Sequence, residues 1–359
     1  MNILLLIKNF DFGGAENHVC GLANSLSLHG HKVILVSGEG RQFQKLNKDV
    51  KHIVMLFSDL NTIINVFRLW RLLKKEHIDV IHGHQRLPIL AASFASLITK
   101  IPLVATVHGK IRYDLKSDFV KKKITKAIAI CENSLVGLQR DVLLKHKSVY
   151  IPNGVDFPEK SISTSTNVVS FYYISRLDYR HTEVIKFLIA NIWPAILRDH
   201  PEARFCIVGD GKYFKSLRLF LQSTDIKHLA DSIDLVGYES DLAKHYEKAS
   251  LVLGVGRVAL ESISFGIPVL SIKINRLGEI INLRNIDYFQ FGNFVDINGS
   301  KPDAGLIIKM IDDFIKNRDD YKKEAILVQQ RIRQDSDIQN VIFQIMELYQ
   351  EVLINNHEN

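Results

Sequence analysis

The chain opens Asn2-Ile3-Leu4-Leu5-Leu6-Ile7, passes through Lys8 to Phe12, and continues Gly13-Gly14-Ala15-Glu16 into a helical pattern that reaches His29. Residues 3–7 have strand length and no polar face. A strand that is apolar on both sides belongs to a parallel sheet covered by helices. Working outward, similar runs recur at 33–37, 80–82, 103–107 and 127–131, with helical stretches at 16–29, 61–76 and 87–99 between them. This alternation predicts a doubly wound α/β sheet.

The cycle breaks at Ile151-Pro152-Asn153-Gly154-Val155-Asp156-Phe157-Pro158, and a Ser/Thr-rich stretch follows over 161–166. Turn formers leading into such a stretch read as a linker. A second cycle begins after it, with strands expected near 168–174, 203–208, 234–236, 250–253 and 268–272. From about Pro302 onward the pattern is helical and rich in charge. The expected organisation is a first domain over 1–155, a linker over 156–167 and a second domain over 168–335. A C-terminal helix over 336–359 can pack back on the first domain. Two wound domains imply a cleft between sheet edges, where ligands of such folds bind.

Composition agrees with two globular bodies. The 359 residues are 47% hydrophobic and 24% charged, which excludes a disordered chain. Cys20, Cys131 and Cys206 lie in separate apolar runs, too scattered for a disulfide framework or a metal site. They read as buried thiols in a reducing compartment. The opening apolar run is too short for a signal peptide or a membrane span, so a cytoplasmic location is expected. The formal charge of +7 is unevenly divided: residues 1–155 hold 22 Lys/Arg against 11 Asp/Glu, whereas 156–359 hold 24 against 28. A basic half joined to a mildly acidic one suggests different partners for each.

Three glycine loops stand at strand ends. Gly13-Gly14 opens the first helix, where backbone amides can approach an anion, although an ordinary tight turn explains the doublet equally well. Gly209-Asp210-Gly211 follows a strand and reads as turn former or ligand loop with equal weight. Gly254-Val255-Gly256-Arg257-Val258-Ala259 has the spacing of a dinucleotide fingerprint. It comes late in its domain, and no acidic ribose partner stands about 20 residues on, so a phosphate at a helix start, with Arg257 adding charge, fits better than a nicotinamide or flavin.

These residues, in this order, resemble the GT-B glycosyltransferases, most closely the retaining, nucleotide-sugar-dependent family 4. The matching pieces are Phe12-Gly13-Gly14-Ala15-Glu16, Ile81-His82-Gly83-His84, Ala105-Thr106-Val107-His108-Gly109 and Ile151-Pro152-Asn153-Gly154-Val155-Asp156. They continue with Ser175-Arg176-Leu177, Ile207-Val208-Gly209-Asp210-Gly211, Val236-Gly237-Tyr238 and Ala259-Leu260-Glu261 through Gly266-Ile267-Pro268-Val269. Each piece alone is weak, but eight in sequence are a strong signal of fold.

The resemblance implies a donor bound mainly by the second domain, with a UDP-sugar as that donor, and no metal ion or other cofactor. Glu261 then takes the ribose hydroxyls, Arg176 the pyrophosphate, and the backbone around Tyr238 the base. The backbone of Gly14, Gly209, Gly256 and Val258 borders the phosphates, and His108 lies below the donor sugar. The plain alternatives are a helix-start acid for Glu261, a solvated cation for Arg176 and a structural histidine for His108. Two positions depart from the family. Leu253 replaces a glutamate eight residues before Glu261, and His181 replaces a lysine five residues after Arg176. Arg180, His181 and Arg257 are together expected to supply the missing positive charge.

The acceptor implied is a saccharide or lipid-linked saccharide, in the biosynthesis of a surface polysaccharide or glycolipid. Residues 110–126 carry seven cations (Lys110, Arg112, Lys116, Lys121, Lys122, Lys123, Lys126) among apolar residues. Arg68, Arg71, Lys74 and Lys75 form a second strip beside Phe67, Leu69 and Trp70. An anionic membrane surface at the cytoplasmic leaflet is the expected partner. No nucleic-acid module is visible. Two other readings stay open: a GT-B chain that has lost transfer and serves as a partner subunit, and a sugar-nucleotide epimerase or Rossmann oxidoreductase.

Overall fold

A computed structural model describes residues 1–109, 115–158 and 168–357. The chain divides into two compact units, one of Met1–Val155 with Asp335–Asn359, the other of Asp156–Gln334. The expected linker residues 159–167, and Lys110 and Arg112 of the basic stretch, lie outside the described residues.

The first unit holds seven strands: β1 (Asn2–Leu6), β2 (Lys32–Ser37), β3 (Lys51–Val54), β4 (Val80–His84), β5 (Leu103–Val107), β6 (Lys126–Ala129) and β7 (Ser148–Tyr150). Their order is β3-β2-β1-β4-β5-β6-β7 and every pairing is parallel. The absence of a polar face in residues 3–7 is now explained. Ile3, Leu5 and Ile7 pack with Val19, Leu22 and Leu26 of helix Gly14–Leu28 and with Val341, Ile345 and Tyr349 of helix Ile338–His357. Leu4 and Leu6 face the other layer, with Leu69 and Leu73 of helix Thr62–Lys75 and Ile89 and Ala92 of helix Arg86–Thr99. Each such side chain, fully buried, contributes about 1.5–3 kcal/mol of transfer free energy. The C-terminal helix is also tied by a backbone bridge between Val155 and Asp337.

The second unit holds β8 (Ser170–Ile174), β9 (Arg204–Val208), β10 (Ile233–Gly237), β11 (Leu251–Gly254), β12 (Val269–Lys273) and β13 (Arg276–Ile280). The order is β10-β9-β8-β11-β12-β13, parallel except for antiparallel β13. Phe171, Tyr173, Ile207, Leu251 and Leu253 face one helical layer, and Tyr172, Ile174, Val208 and Val252 the other. All three cysteines are buried and none forms a disulfide.

The sequence pattern misses β3, β7 and β13. All three are edge strands, and none is buried along its whole length. An edge strand lacks the two-sided apolar run that marks a central one.

Both sheets reverse their winding between the first strand and the fourth: β1 beside β4, and β8 beside β11. Ligands of open α/β sheets bind beyond the carboxyl ends of the strands at such a switch point. Each unit therefore has one topologically favoured place for a site.

Candidate functional site

At the first switch point the chain places histidines. His84 ends β4, His108 follows β5, and His18 lies in the helix that Gly14 opens after β1. His84 Nδ1 stands 2.9 Å from His108 Nε2. The His18 ring meets those of His84 and His108 edge-on at 5.7 and 5.0 Å. Behind them His82 is fully occupied. Its Nδ1 bonds the Tyr349 hydroxyl of the C-terminal helix at 2.6 Å, and its Nε2 bonds Thr106 Oγ1 at 2.7 Å. Burial pushes the pKa of His82 down to about 3 and that of His84 well below the ordinary imidazole value, with neighbouring histidines adding to the effect. Both are neutral imidazoles at pH 7. Gln85, directly after His84, sits at φ +66°, a left-handed conformation uncommon for a side chain of this kind.

At the second switch point the chain places cations and helix starts. Beyond β8, Ser175-Arg176-Leu177 leads to Asp178, whose carboxylate accepts from the His181 amide at 3.1 Å and caps helix Tyr179–Asn191. Arg176 and Arg180 are exposed, and neither has an ion-pair partner among the described residues. Gly209 has a structural reason. At φ +142°, a Cβ there would stand 1.8 Å from the Ser175 carbonyl oxygen, so only glycine lets the loop after β9 lie against the loop that carries Arg176. Beyond β11, Gly256 at φ +63° starts helix Arg257–Ser264. The first amides of an α-helix, here those of Arg257 and Val258, have no intrahelical acceptor, and a helix start of this kind favours an anion.

Glu261 lies one turn into this helix, with both oxygens engaged. Arg257 Nε donates to Oε1 at 2.7 Å, and the buried Tyr246 hydroxyl donates to Oε2 at 2.9 Å. The carboxylate is held in a fixed pose, and the Arg257 charge is balanced by it.

Two expectations change in detail, those for His181 and Arg257. His181 Nδ1 is 3.0 Å from the Tyr173 hydroxyl. Burial lowers its pKa, Asp178 opposes the shift, and Arg176 and Arg180 lower it further. At neutral pH His181 therefore does not supply the cationic charge expected of it, and the exposed positive charge rests on Arg176 and Arg180. Leu253 is a core residue of β11. Arg257 is the partner of Glu261 rather than an unengaged cation. Tyr238 is half-buried just after β10. Sequence reasoning singled out neither Tyr246 nor the grouping of His18 with His84. The available signal was the His82-x-His84 pair at a strand end, which puts both side chains on one face of the sheet.

Two family models match the chain in succession: Glycosyltransferase Family 4 over residues 12–158 and Glycosyl transferases group 1 over residues 169–291. The chain belongs to the GT-B group 1 glycosyltransferases. It is 28% identical over 287 residues to one of the subunits of the phosphatidylinositol N-acetylglucosaminyltransferase of Arabidopsis thaliana. That match covers 72% of this chain and 62% of the plant protein. This glycosyltransferase chain thus spans less than two thirds of that relative. It is 26% identical over 301 residues to the UDP-Gal:alpha-D-GlcNAc-diphosphoundecaprenol alpha-1,3-galactosyltransferase of Escherichia coli, covering 74% of this chain and 73% of that one. Its fold is that of Anabaena Alr3699/HepE in complex with UDP-glucose, at a TM-score of 0.75 and 18% identity, covering 98% and 100% of the two chains.

Proposed function

We propose that this glycosyltransferase moves a sugar, with retention, from a UDP-sugar to a lipid-linked acceptor at an anionic membrane surface. The observation that carries the reading is the second switch point, where two exposed arginines, a glycine-started helix and a fixed carboxylate lie at the ends of adjacent strands. Arg176, Arg180 and the amides of residues 257–258 hold the diphosphate and stabilise the charge that develops as it departs. Glu261, already oriented by Tyr246 and Arg257, takes the ribose hydroxyls. The backbone near Tyr238 meets the base, and His108 lies below the transferred sugar. The Escherichia coli relative acts on a diphosphoundecaprenol-linked acceptor and HepE was solved with UDP-glucose, which supports the choice of partners.

The membrane surface is the exposed face of helix Thr62–Lys75. Leu60, Ile63, Ile64 and Phe67 are all more than half exposed, with Leu60 at 93% and Ile63 at 85%. Arg68, Arg71, Lys74 and Lys75 share the helix, and none has an ion-pair partner among the described residues. An apolar strip flanked by cations suits an anionic leaflet, at about 1 kcal/mol per cation near the surface. The stretch 110–126 is less suited than its composition suggests. Lys121 is engaged by Asp118 and Asp141, and Lys126 by Glu351. No helix among the described residues is long and apolar enough to cross a membrane, so a peripheral attachment at the cytoplasmic leaflet is the form proposed.

The second reading is a GT-B partner subunit that binds nucleotide without transferring sugar. It is favoured by Leu253 lying in the core and His181 being neutral. Calorimetry with UDP and UDP-sugars, paired with transfer to lipid-linked saccharide in anionic vesicles, separates the two. Binding with transfer supports the first reading, binding without turnover supports the second, and no binding removes both. Vesicle co-sedimentation should weaken with salt and in Ile63→Ser/Phe67→Ser. Indifference to both would overturn the membrane assignment.

A further inference from the structure

Glu16 is buried more deeply than a glutamate at a helix start needs to be. It stands in the first turn of helix Gly14–Leu28, beyond β1 at the first switch point, and only 7% of the residue is exposed. It has no ion pair among the described residues. Its one hydrogen bond comes from Gln85 Nε2 at 3.4 Å, near the outer limit of bonding distance. A glutamate at the third helical position commonly reaches back to the N-cap amide. Here Oε2 lies over Gly13, where a Cβ would overlap it, yet no backbone amide bonds the carboxylate among the described residues. Gln85, the residue after β4, is held at φ +66°. Its Oε1 accepts from the Lys8 amide beyond β1 at 3.2 Å. A strained residue is thus clamped between two strand ends with its side-chain amide aimed at Glu16. Strain of that kind persists where the surroundings over-determine it, and it clusters at functional sites.

We propose that Glu16 receives a hydroxyl of the acceptor sugar and that Gln85 is a positioning residue that holds the carboxylate for it. A buried carboxylate without a cation is costly unless hydrogen bonds satisfy it. An ionised carboxylate only accepts hydrogen bonds. The group that completes Glu16 is therefore a donor, which rules out a phosphate and suits a neutral hydroxyl. The contact from Gln85 leaves most of the carboxylate's lone pairs open to such a group. Its place beyond the carboxyl ends of β1 and β4 is where open α/β sheets take their ligands. Gly13 gains a role from the same geometry. Its φ of 169° is extended backbone that any residue adopts, so glycine is not needed there for conformation. What it provides is the space that the Glu16 carboxylate occupies.

The acceptor hydroxyl is assigned to Glu16 on the strength of the sugar-transfer reading, so binding and transfer are measured separately. Full-length protein is titrated with octyl glycosides of glucose, galactose and N-acetylglucosamine by saturation-transfer NMR. It is then assayed for transfer from UDP-sugars to whichever glycoside binds. Glu16→Gln keeps the shape and loses the charge. The glycoside Kd and the acceptor KM should each rise about tenfold or more in it, with the Kd for UDP level. Gly13→Ala should weaken glycoside binding in the same direction by pushing the carboxylate aside, and it reports even if Glu16→Gln fails to fold. Gln85→Gly tolerates the left-handed φ and removes the amide, so it should weaken glycoside binding by a smaller factor, roughly threefold, with UDP affinity level. A merely structural Gln85 would shift both ligands or neither. Wild-type binding that weakens in Glu16→Gln supports the assignment even where no transfer follows, and that combination would overturn the sugar-transfer reading alone. No glycoside binding by the wild type, or a Kd unchanged in folded Glu16→Gln or Gly13→Ala protein, would overturn the assignment.

Discussion

The two sheets share one winding, yet their switch points are chemically unlike. At the end of β8 and β11 the polar groups are the exposed Arg176 and Arg180 and the first amides of a helix. At the end of β4 and β5 they turn on one another as His84 and His108, backed by His82 and Tyr349. The second arrangement is suited to an anion, because exposed cations and amide donors gain most from a phosphate. The first holds the buried, neutral imidazoles of His82 and His84 in a fixed array, suited to a neutral hydroxyl. Topology fixes where each unit places a site, and the side chains decide what that site does.

The largest effect that would test this contrast is at Gly209. Gly209→Ala would drive a Cβ into the Ser175 carbonyl at a strained φ, costing about 3 kcal/mol or more. Chemical denaturation reads that loss, and UDP affinity should fall with it as the Arg176 loop moves. A tolerated substitution would show that the two loops are not held together as described. Next is Glu261→Ala, which removes a carboxylate offering charge-assisted bonds of about 1.5–3 kcal/mol each. UDP affinity measured by calorimetry should drop roughly 10–100-fold.

Tyr349→Phe is the matching test of the first unit. Loss of the hydroxyl leaves His82 Nδ1 buried and unpaired, a cost of about 1–3 kcal/mol seen as a lower urea midpoint. UDP affinity should stay level, and a fall would mean that the switch points are energetically coupled.

The smallest effect should be shared by both units. Hydrogen bonds from Lys51 and Lys32 hold Glu76 at about 2, and one from Lys244 holds Glu239 at about 2, against an ordinary 4.5. Because these folded-state values are depressed, their stabilisation is complete above the unfolded value. It is lost as pH falls from about 4.5 towards 2. Glu76→Gln should lower the neutral plateau of the denaturation profile and flatten its acid limb, with stability near pH 2 left almost unchanged.

Most of the framework was readable in the chain because central strands of wound sheets are apolar on both faces. The edges were not. Lys51–Val54 and Ser148–Tyr150 lack that two-sided run, and Arg276–Ile280 carries a glycine and two charges. Motifs at strand ends located Arg176, Gly256 and Glu261 because loops at switch points combine glycines with charge. They did not locate Tyr246, which reaches Glu261 from a separate short helix, or His18, whose neighbours are more than 60 residues away in the chain.

What the sequence by itself determined is therefore two wound α/β domains, the family, and the residues standing at strand ends. Local periodicity and turn chemistry are short-range properties, and they survive in a one-dimensional reading. The tertiary structure decided the state of those residues. It showed that His181 is neutral beside Tyr173, that Arg257 is balanced by Glu261, that Lys121 and Lys126 are ion-paired while the cations of helix Thr62–Lys75 have no ion-pair partner among the described residues, and that three histidines meet. Burial and partners set charge and geometry, and both depend on which distant segments fold against a residue.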